Sequence, residues 1–189
     1  DHTEPAPVSQ TGVLNGKIVT SVATGSNHSL ALCSDGTMAA WGYNGYGQLG
    51  NDNTIDSQFP VSVSATGSLS GKTVIAIAAG QFHNLALCTD GTLVAWGYNF
   101  YGQLGNGLTT QSLTPVAVDR TGVLSGKTII ALAAGTYHSF ALCSDGTLAA
   151  WGYNANGELG NGGTGFSLLP VAVDTSGVLS GKTIGAVLA

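Results

Sequence analysis

The chain repeats itself at a fixed interval of 55 residues. The stretch from Gly80 to Asn99, which holds His83, Cys88, Gly91 and Trp96, recurs earlier with His28, Cys33, Gly36 and Trp41, and later with His138, Cys143, Gly146 and Trp151. No insertion or deletion separates the copies. A constant period of this size marks stacked supersecondary units, each too small to bury its own apolar surface.

The repeat begins at Pro60, with counterparts at Pro5, Pro115 and Pro170. Residues 1–4 read as a polar tail, followed by repeats 5–59, 60–114 and 115–169 and a partial fourth unit at 170–189. In each unit the run Pro-Val-Ala-Val-Asp at 115–119 reads as a strand with proline at its first position, where the missing N–H costs least. A turn-rich loop, Thr121–Lys127, follows. Thr128–Ala134 is β-branched and apolar and reads as a second strand; His138–Cys143 reads as a third. Asp145-Gly146 then joins it to the run ending at Trp151. Asp-Gly between two apolar runs predicts a hairpin with a type I′ turn. Each unit thus has about four short strands and no helix, the pattern of a propeller blade.

The strands are apolar on both faces. Leu85-Ala-Leu-Cys88 and Leu93-Val-Ala-Trp96 do not alternate with polar residues, which predicts burial between two neighbouring sheets. The expected fold is all-β: four-stranded antiparallel blades, three full repeats and part of a fourth, open or closed by oligomerisation.

Charge narrows the function classes. Only 8% of residues are charged, against an average of about 25%, and net charge is −5 with five Lys+Arg. No basic cluster can neutralise a phosphate backbone, which argues against nucleic-acid binding. No apolar run reaches the roughly 18 residues of a membrane helix, so no membrane insertion is expected. The absence of an initiator Met and of a signal peptide reads as a processed or cut end. Three cysteines at one repeated position read as small buried thiols, since residues one repeat apart sit too far apart to bridge.

The residues Gly135, His138, Ser139, Ala141, Leu142, Asp145, Gly146, Trp151, Gly152, Asn154, Gly157, Leu159, Gly160 and Gly162 resemble the repeat of the regulator of chromosome condensation 1 family. The likeness covers residues 5–189. It implies four-stranded blades in a β-propeller, usually of seven. It implies no single activity, because members include a nuclear nucleotide-exchange factor, ubiquitin-ligase modules, light-signalling proteins and bacterial inhibitors of secreted enzymes. This chain has three full repeats and no basic tail, and no residues carry over as an exchange site. The regular repeats, rich in Ser, Thr, Asn and Gly, look like bacterial surface or secreted members, which implies an extracellular or cell-surface location.

The repeats can be compared with one another. Positions that every blade shares read as structural. His28, His83 and His138 are expected to bond a backbone group in a blade turn, because imidazole chemistry needs convergent partners that no local pattern supplies. Trp41, Trp96 and Trp151 are expected to pack with the indole N–H satisfied locally, and Tyr43, Tyr98 and Tyr153 to pack likewise. Lys17, Lys72, Lys127 and Lys182 read as solvated turn lysines. Asn51–Asp56 is oxygen-rich but lacks the downstream Glu and Gly of an EF-hand, and reads as a solvated loop.

Positions that differ between repeats are the candidate contact residues: Asn27, Phe82 and Tyr137 before the repeated His; Tyr46, Phe100, Tyr101 and Asn156 after Trp-Gly-Tyr-Asn; and Phe59, Leu113 and Phe166 in the third variable segment. Aromatics on glycine-flanked loops suit protein contact. No catalytic, metal or cofactor site is expected, and the chain reads as a non-enzyme. The leading function is a protein-binding repeat scaffold. The alternatives are a structural protein that self-associates through open ends into a ring or filament, and a nucleotide-exchange-like regulator.

Overall fold

The computed structural model describes residue 4 and residues 7–187. The remainder of the tail, with His2, and the repeat start at Pro5 lie outside the described residues. Among the described residues, twelve strands form three four-stranded antiparallel sheets in simple meander order. Blade 1 holds β1 (Val19–Thr24), β2 (His28–Cys33), β3 (Met38–Gly42) and β4 (Ser57–Ser62). Blade 2 holds β5 (Val74–Ala79), β6 (His83–Cys88), β7 (Leu93–Gly97) and β8 (Ser112–Ala117). Blade 3 holds β9 (Ile129–Ala134), β10 (His138–Cys143), β11 (Leu148–Gly152) and β12 (Ser167–Ala172). The first strands β1, β5 and β9 lie against one another and form the inner edge.

Two local readings need correction. Pro115 is the fourth residue of β8, which starts at Ser112. Proline is tolerated there because β8 is the outer edge strand and its N–H side faces no partner. The hairpin turn is also of another type. Gly36 N–H donates to the Cys33 carbonyl (2.9 Å), and Cys33 N–H to the Thr37 carbonyl (2.9 Å). Positive φ falls on Gly36, Gly91 and Gly146 and not on the aspartates before them. This is a three-residue loop, a type I turn closed by a left-handed glycine. The Asp35 carboxylate accepts from Thr37 N–H at 3.0 Å and holds the turn. The loop before the first strand is a single turn of 3-10 helix in blades 1 and 2 (Gly12–Leu14 before β1 and Gly67–Leu69 before β5).

The turn lysines are paired. Lys17 bonds Asp35 and Lys72 bonds Asp90, while Lys127 Nζ donates to Asp145 Oδ2 at 2.5 Å. Each pair ties the turn before an inner strand to the hairpin tip of the same blade. The pairs face solvent, so they set loop geometry more than stability.

The core lies between blades. Leu30, Leu32, Met38 and Ala40 of blade 1 meet Ala86, Cys88, Val94 and Trp96 of blade 2. One period on, Leu85, Leu87, Leu93 and Ala95 meet Ala141, Cys143, Ala149 and Trp151. A bulky leucine face packs on a face of Ala, Cys and one Trp. The double-sided apolar strands therefore do have a sheet on each side. Alternation of side chains across each strand assigns the two faces.

Leu85 is fully buried in the blade 2–3 cluster. Leu85→Ala is expected to lower unfolding free energy by roughly 2–5 kcal/mol in urea denaturation. A loss below about 1 kcal/mol would contradict the packing described.

Candidate functional site

The repeated histidines work across the blade boundary. His28 Nε2 lies 2.9 Å from Asn84 Oδ1, and His83 Nε2 lies 2.9 Å from Ser139 Oγ. The partner is a side chain of the next blade, not a backbone group of the histidine's own turn. Asn84 Nδ2 then donates back to the Gln48 carbonyl of blade 1 (2.9 Å), and Ser139 Oγ to the Gln103 carbonyl of blade 2 (2.9 Å). The same carbonyls accept the indole N–H of Trp96 (2.9 Å) and Trp151 (2.8 Å). The indoles are thus satisfied across the seam, not locally.

Proton bookkeeping fixes the histidine tautomer. Ser139 spends its only proton on Gln103, and the Asn84 oxygen has none to give. Nε2 must therefore be the donor in both rings, leaving Nδ1 bare. Nδ1 of His28 and of His83 is buried with no partner. A second proton would have no acceptor there. Burial holds the His83 pKa down at about 3, and the like charges of His138 and His28 add to the effect. Burial also lowers the pKa of His28 and of His138.

The loop that offers the Gln carbonyl is organised by a buried asparagine. Asn44 is fully buried, and its Oδ1 accepts from Leu49 N–H (2.8 Å). Its Nδ2 donates to Asn51 Oδ1 (3.1 Å) and to the carbonyls of Asn53 (3.0 Å) and Ile55 (3.1 Å). Asp56 accepts from Asn44 N–H at 2.7 Å. The oxygen-rich Asn51–Asp56 segment thus wraps Asn44, so its polar groups are not simply solvated. Asn99 and Asn154 do the same for their loops.

These loops and the turns before the histidines carry a continuous band of aromatic rings along one rim. Tyr46 contacts Phe82 (5.4 Å between centroids) and Tyr98 (4.8 Å). Tyr98 contacts Tyr137 (5.9 Å), which contacts Tyr101 (5.3 Å), which contacts Tyr153 (4.8 Å). Tyr43 closes one end beside Tyr46 at 6.1 Å, and Phe100 and Phe166 lie beside Tyr101 at 5.1 and 6.3 Å. The angles are mostly edge-on or tilted, as ring quadrupoles prefer. The Trp-Gly step makes the rim possible. Gly42 has φ +104, and a Cβ there would meet the Asn27 carbonyl at 2.4 Å.

Of the candidate residues, Phe82, Tyr137, Tyr46, Phe100, Tyr101 and Phe166 come together in this band. Asn27 borders a concavity with Tyr43, Tyr46 and Phe82. Asn156 is exposed and bonds Glu158 at 2.8 Å. Phe59 is 66% exposed on outer strand β4 and has no ring neighbour among the described residues. Leu113 is half-buried in the blade 1–2 seam, where its carbonyl accepts from Asp52 N–H (3.1 Å). The repeated Tyr43, Tyr98 and Tyr153 belong to the band as well as packing within it. Burial and the neighbouring phenols raise the Tyr98 pKa, so its hydroxyl stays protonated.

A model of the Regulator of chromosome condensation (RCC1) repeat matches residues 35–87 and 90–142, and a second model of that repeat matches 19–48, 74–103 and 129–158. The ultraviolet-B receptor UVR8 of Arabidopsis thaliana is 35% identical over 174 residues, 92% of this chain and 38% of that protein. The probable E3 ubiquitin-protein ligase HERC6 of Homo sapiens is 37% identical over 155 residues, 82% of this chain and 14% of that protein. Human WBSCR16 aligns with a TM-score of 0.76 at 28% identity, over 93% of this chain and 44% of that one. Prp20p of Saccharomyces cerevisiae aligns at 0.72 with 23% identity, over 85% and 39%, a likeness of fold. The chain therefore spans less than half of each of these proteins.

The neutral histidines give a pH dependence. An imidazole kept neutral by the fold takes up its proton only in the unfolded chain, so acid favours unfolding. Stability is complete above the ordinary value of 6.5 and is lost as pH falls toward the His83 value of about 3. Each such histidine contributes a slope of at most about 1.4 kcal/mol per pH unit in that window. Urea midpoints measured from pH 7.5 to 4.5 are expected to fall steadily, and His83→Gln to flatten the slope. The turn aspartates act lower. Asp90 and Asp145 are held at about 2, chiefly by the Lys72 and Lys127 hydrogen bonds, so their contribution goes only below their ordinary value of 3.8.

Proposed function

Because the chain belongs to the Regulator of chromosome condensation (RCC1) repeat family, we propose that it is a non-catalytic scaffold that binds a protein partner through the aromatic rim. The observation that carries this reading is the unbroken run of rings from Tyr43 to Tyr153 across all three blades. Tyr and Phe supply large contact area with few rotatable bonds, and rigid aromatic anchors dominate binding energy at protein interfaces. Around the constant Tyr43, Tyr98 and Tyr153 the other rim positions differ between repeats while the scaffold beneath them does not, which is how specificity is placed on a fixed frame. Relatives named as a photoreceptor and as a ubiquitin ligase share the repeat, which supports reading it as a frame with no activity of its own. We put the chain outside the cell or on a bacterial surface, on the strength of its low charge and its regular Ser-, Thr-, Asn- and Gly-rich repeats.

A second reading has one observation behind it. His138 Nε2 on blade 3, and Ser29 Oγ and Trp41 Nε1 on blade 1, make no hydrogen bond among the described residues. They are the two complementary halves of the relay that joins the other blades. A second copy docking blade 1 onto blade 3 would complete it, as in head-to-tail assembly. Residues 7–18 of that copy and residues 172–183 of the first are equivalent, so one segment must yield.

The rim reading is tested by binding. Saturable capture of a protein from the secreted fraction of the source is expected with the native chain. Phe82→Ala with Tyr101→Ala is expected to weaken it at least about tenfold, with little change in the unfolding midpoint. Equal affinity of variant and native chain would reject the rim. For the second reading, light scattering is expected to give multiples of the 18.9 kDa chain mass that Trp41→Ala abolishes.

A further inference from the structure

The chain contains one arginine, Arg120, and the other repeats place Gln10, Ala65 and Thr175 at its position. Its guanidinium bridges the slot between blades 2 and 3, beside a remaining cavity of about 280 Å³. Nη1 donates to the Gly91 carbonyl at the hairpin tip of blade 2, and Nη2 donates to the Lys127 carbonyl in the turn before β9 at 2.5 Å. A planar fork is thus received by two backbone oxygens on opposite walls of the slot.

The equivalent slot between blades 1 and 2 has the same walls and no fork. Ala65 takes the place of Arg120, and a cavity of about 470 Å³ opens beside it, lined also by Asp35, Gly36, Asp52 and Lys72. The carbonyls of Gly36 and Lys72, which correspond to Gly91 and Lys127, accept no hydrogen bond among the described residues. Asp52 adds a carboxylate where the other repeats have Gly107 and Gly162. It is the one non-glycine residue with positive φ among those described, at +64. Its side chain makes no hydrogen bond or ion pair among the described residues. Lys72 does not oppose a cation here, because it is paired with Asp90, just as Lys127 is paired with Asp145 beside Arg120.

We propose that the slot between blades 1 and 2 is a receptor for a guanidinium group brought from outside, in the pose that Arg120 adopts one blade on. The head donates one N–H to the Gly36 carbonyl and another to the Lys72 carbonyl, and the positive charge faces Asp52. An ammonium lacks the planar two-donor fork and does not span the two walls. At rest Gly36 lies against Thr73, whereas Gly91 has the Arg120 head for its neighbour. Binding therefore moves the Gly36 tip off Thr73. The slot lies at the hairpin end of the blades, away from the aromatic rim, and does not depend on the rim reading.

The test is an amide NMR titration with N-acetyl-L-arginine methylamide, with N-acetyl-L-lysine methylamide as control. Saturable shifts are expected at Gly36, Asp52, Lys72 and Thr73 with the arginine compound alone. Ala65→Arg is expected to abolish them, and Asp52→Asn to weaken binding roughly two- to fivefold, the worth of a solvent-accessible ion pair. Arg120→Ala is expected to create a second set of shifts at Gly91 and Lys127, which tests the slot even if Ala65→Arg fails to fold. A parallel titration with free L-arginine separates the sources. Tighter binding of the capped compound marks an arginine side chain within a polypeptide, and tighter binding of the free compound marks a small-molecule ligand. Equal response to the lysine compound, shifts that persist in Ala65→Arg, or no shifts at these amides would overturn the proposal.

Discussion

Each blade boundary is closed by a relay that leaves one blade and returns to it. A histidine donates to a side chain of the next blade, and that side chain donates back to a loop carbonyl of the first. The tryptophan of the next blade donates to the same carbonyl. Apolar packing alone would let two flat sheets slide, because burial has no direction. Buried donors and acceptors do have direction, and leaving one unpaired costs about 1–3 kcal/mol. The relay thus sets the register in which the leucine face of one blade meets the Ala-Cys-Trp face of the next. It also keeps the ring neutral, because Nδ1 has no acceptor for a second proton.

The two ends of the blades follow from this frame. The relay fixes the loop after Trp-Gly-Tyr-Asn, and the buried Asn44, Asn99 and Asn154 hold that loop closed. Side chains on its outer surface then fall into one band, although the rings come from separate repeats. The hairpin end is set by another device, a lysine of the preceding turn bonded to the hairpin aspartate. There the residue that follows the outer strand decides whether the slot between blades is bridged. Arg120 bridges one slot and Ala65 leaves another unbridged. A repeat architecture lets such changes be made one blade at a time, because each blade touches only its neighbours.

Much of the blade is legible in the chain. The 55-residue period, the doubly apolar runs and the Asp-Gly turns give four strands per unit and place most of them within a residue or two. The errors were local or long-range. The donor that proline lacks points to a strand start at Pro115, but an outer edge strand does not need that donor. Asp-Gly alone points to a type I′ turn, but the extra serine or threonine before it makes a three-residue loop. The relay was not legible, since His83 and Ser139 lie 56 positions apart and meet only when blades stack. The aromatic band was half legible. The varying Phe82, Tyr46, Tyr101 and Tyr137 stand out against the repeat, but the constancy of Tyr98 and Tyr153 points to packing alone. Their contact with the varying rings crosses blade boundaries that no linear pattern displays.

A neutral, Nε2-protonated histidine bridges each seam. Long-range 1H–15N NMR of the imidazole rings measures this directly. At pH 5 the His83 ring is expected to be neutral, with its proton on Nε2 and Nδ1 in the shift range of an unprotonated nitrogen. An imidazolium at that pH, or a proton on Nδ1, would contradict the relay and with it the explanation of how the blades are held in register.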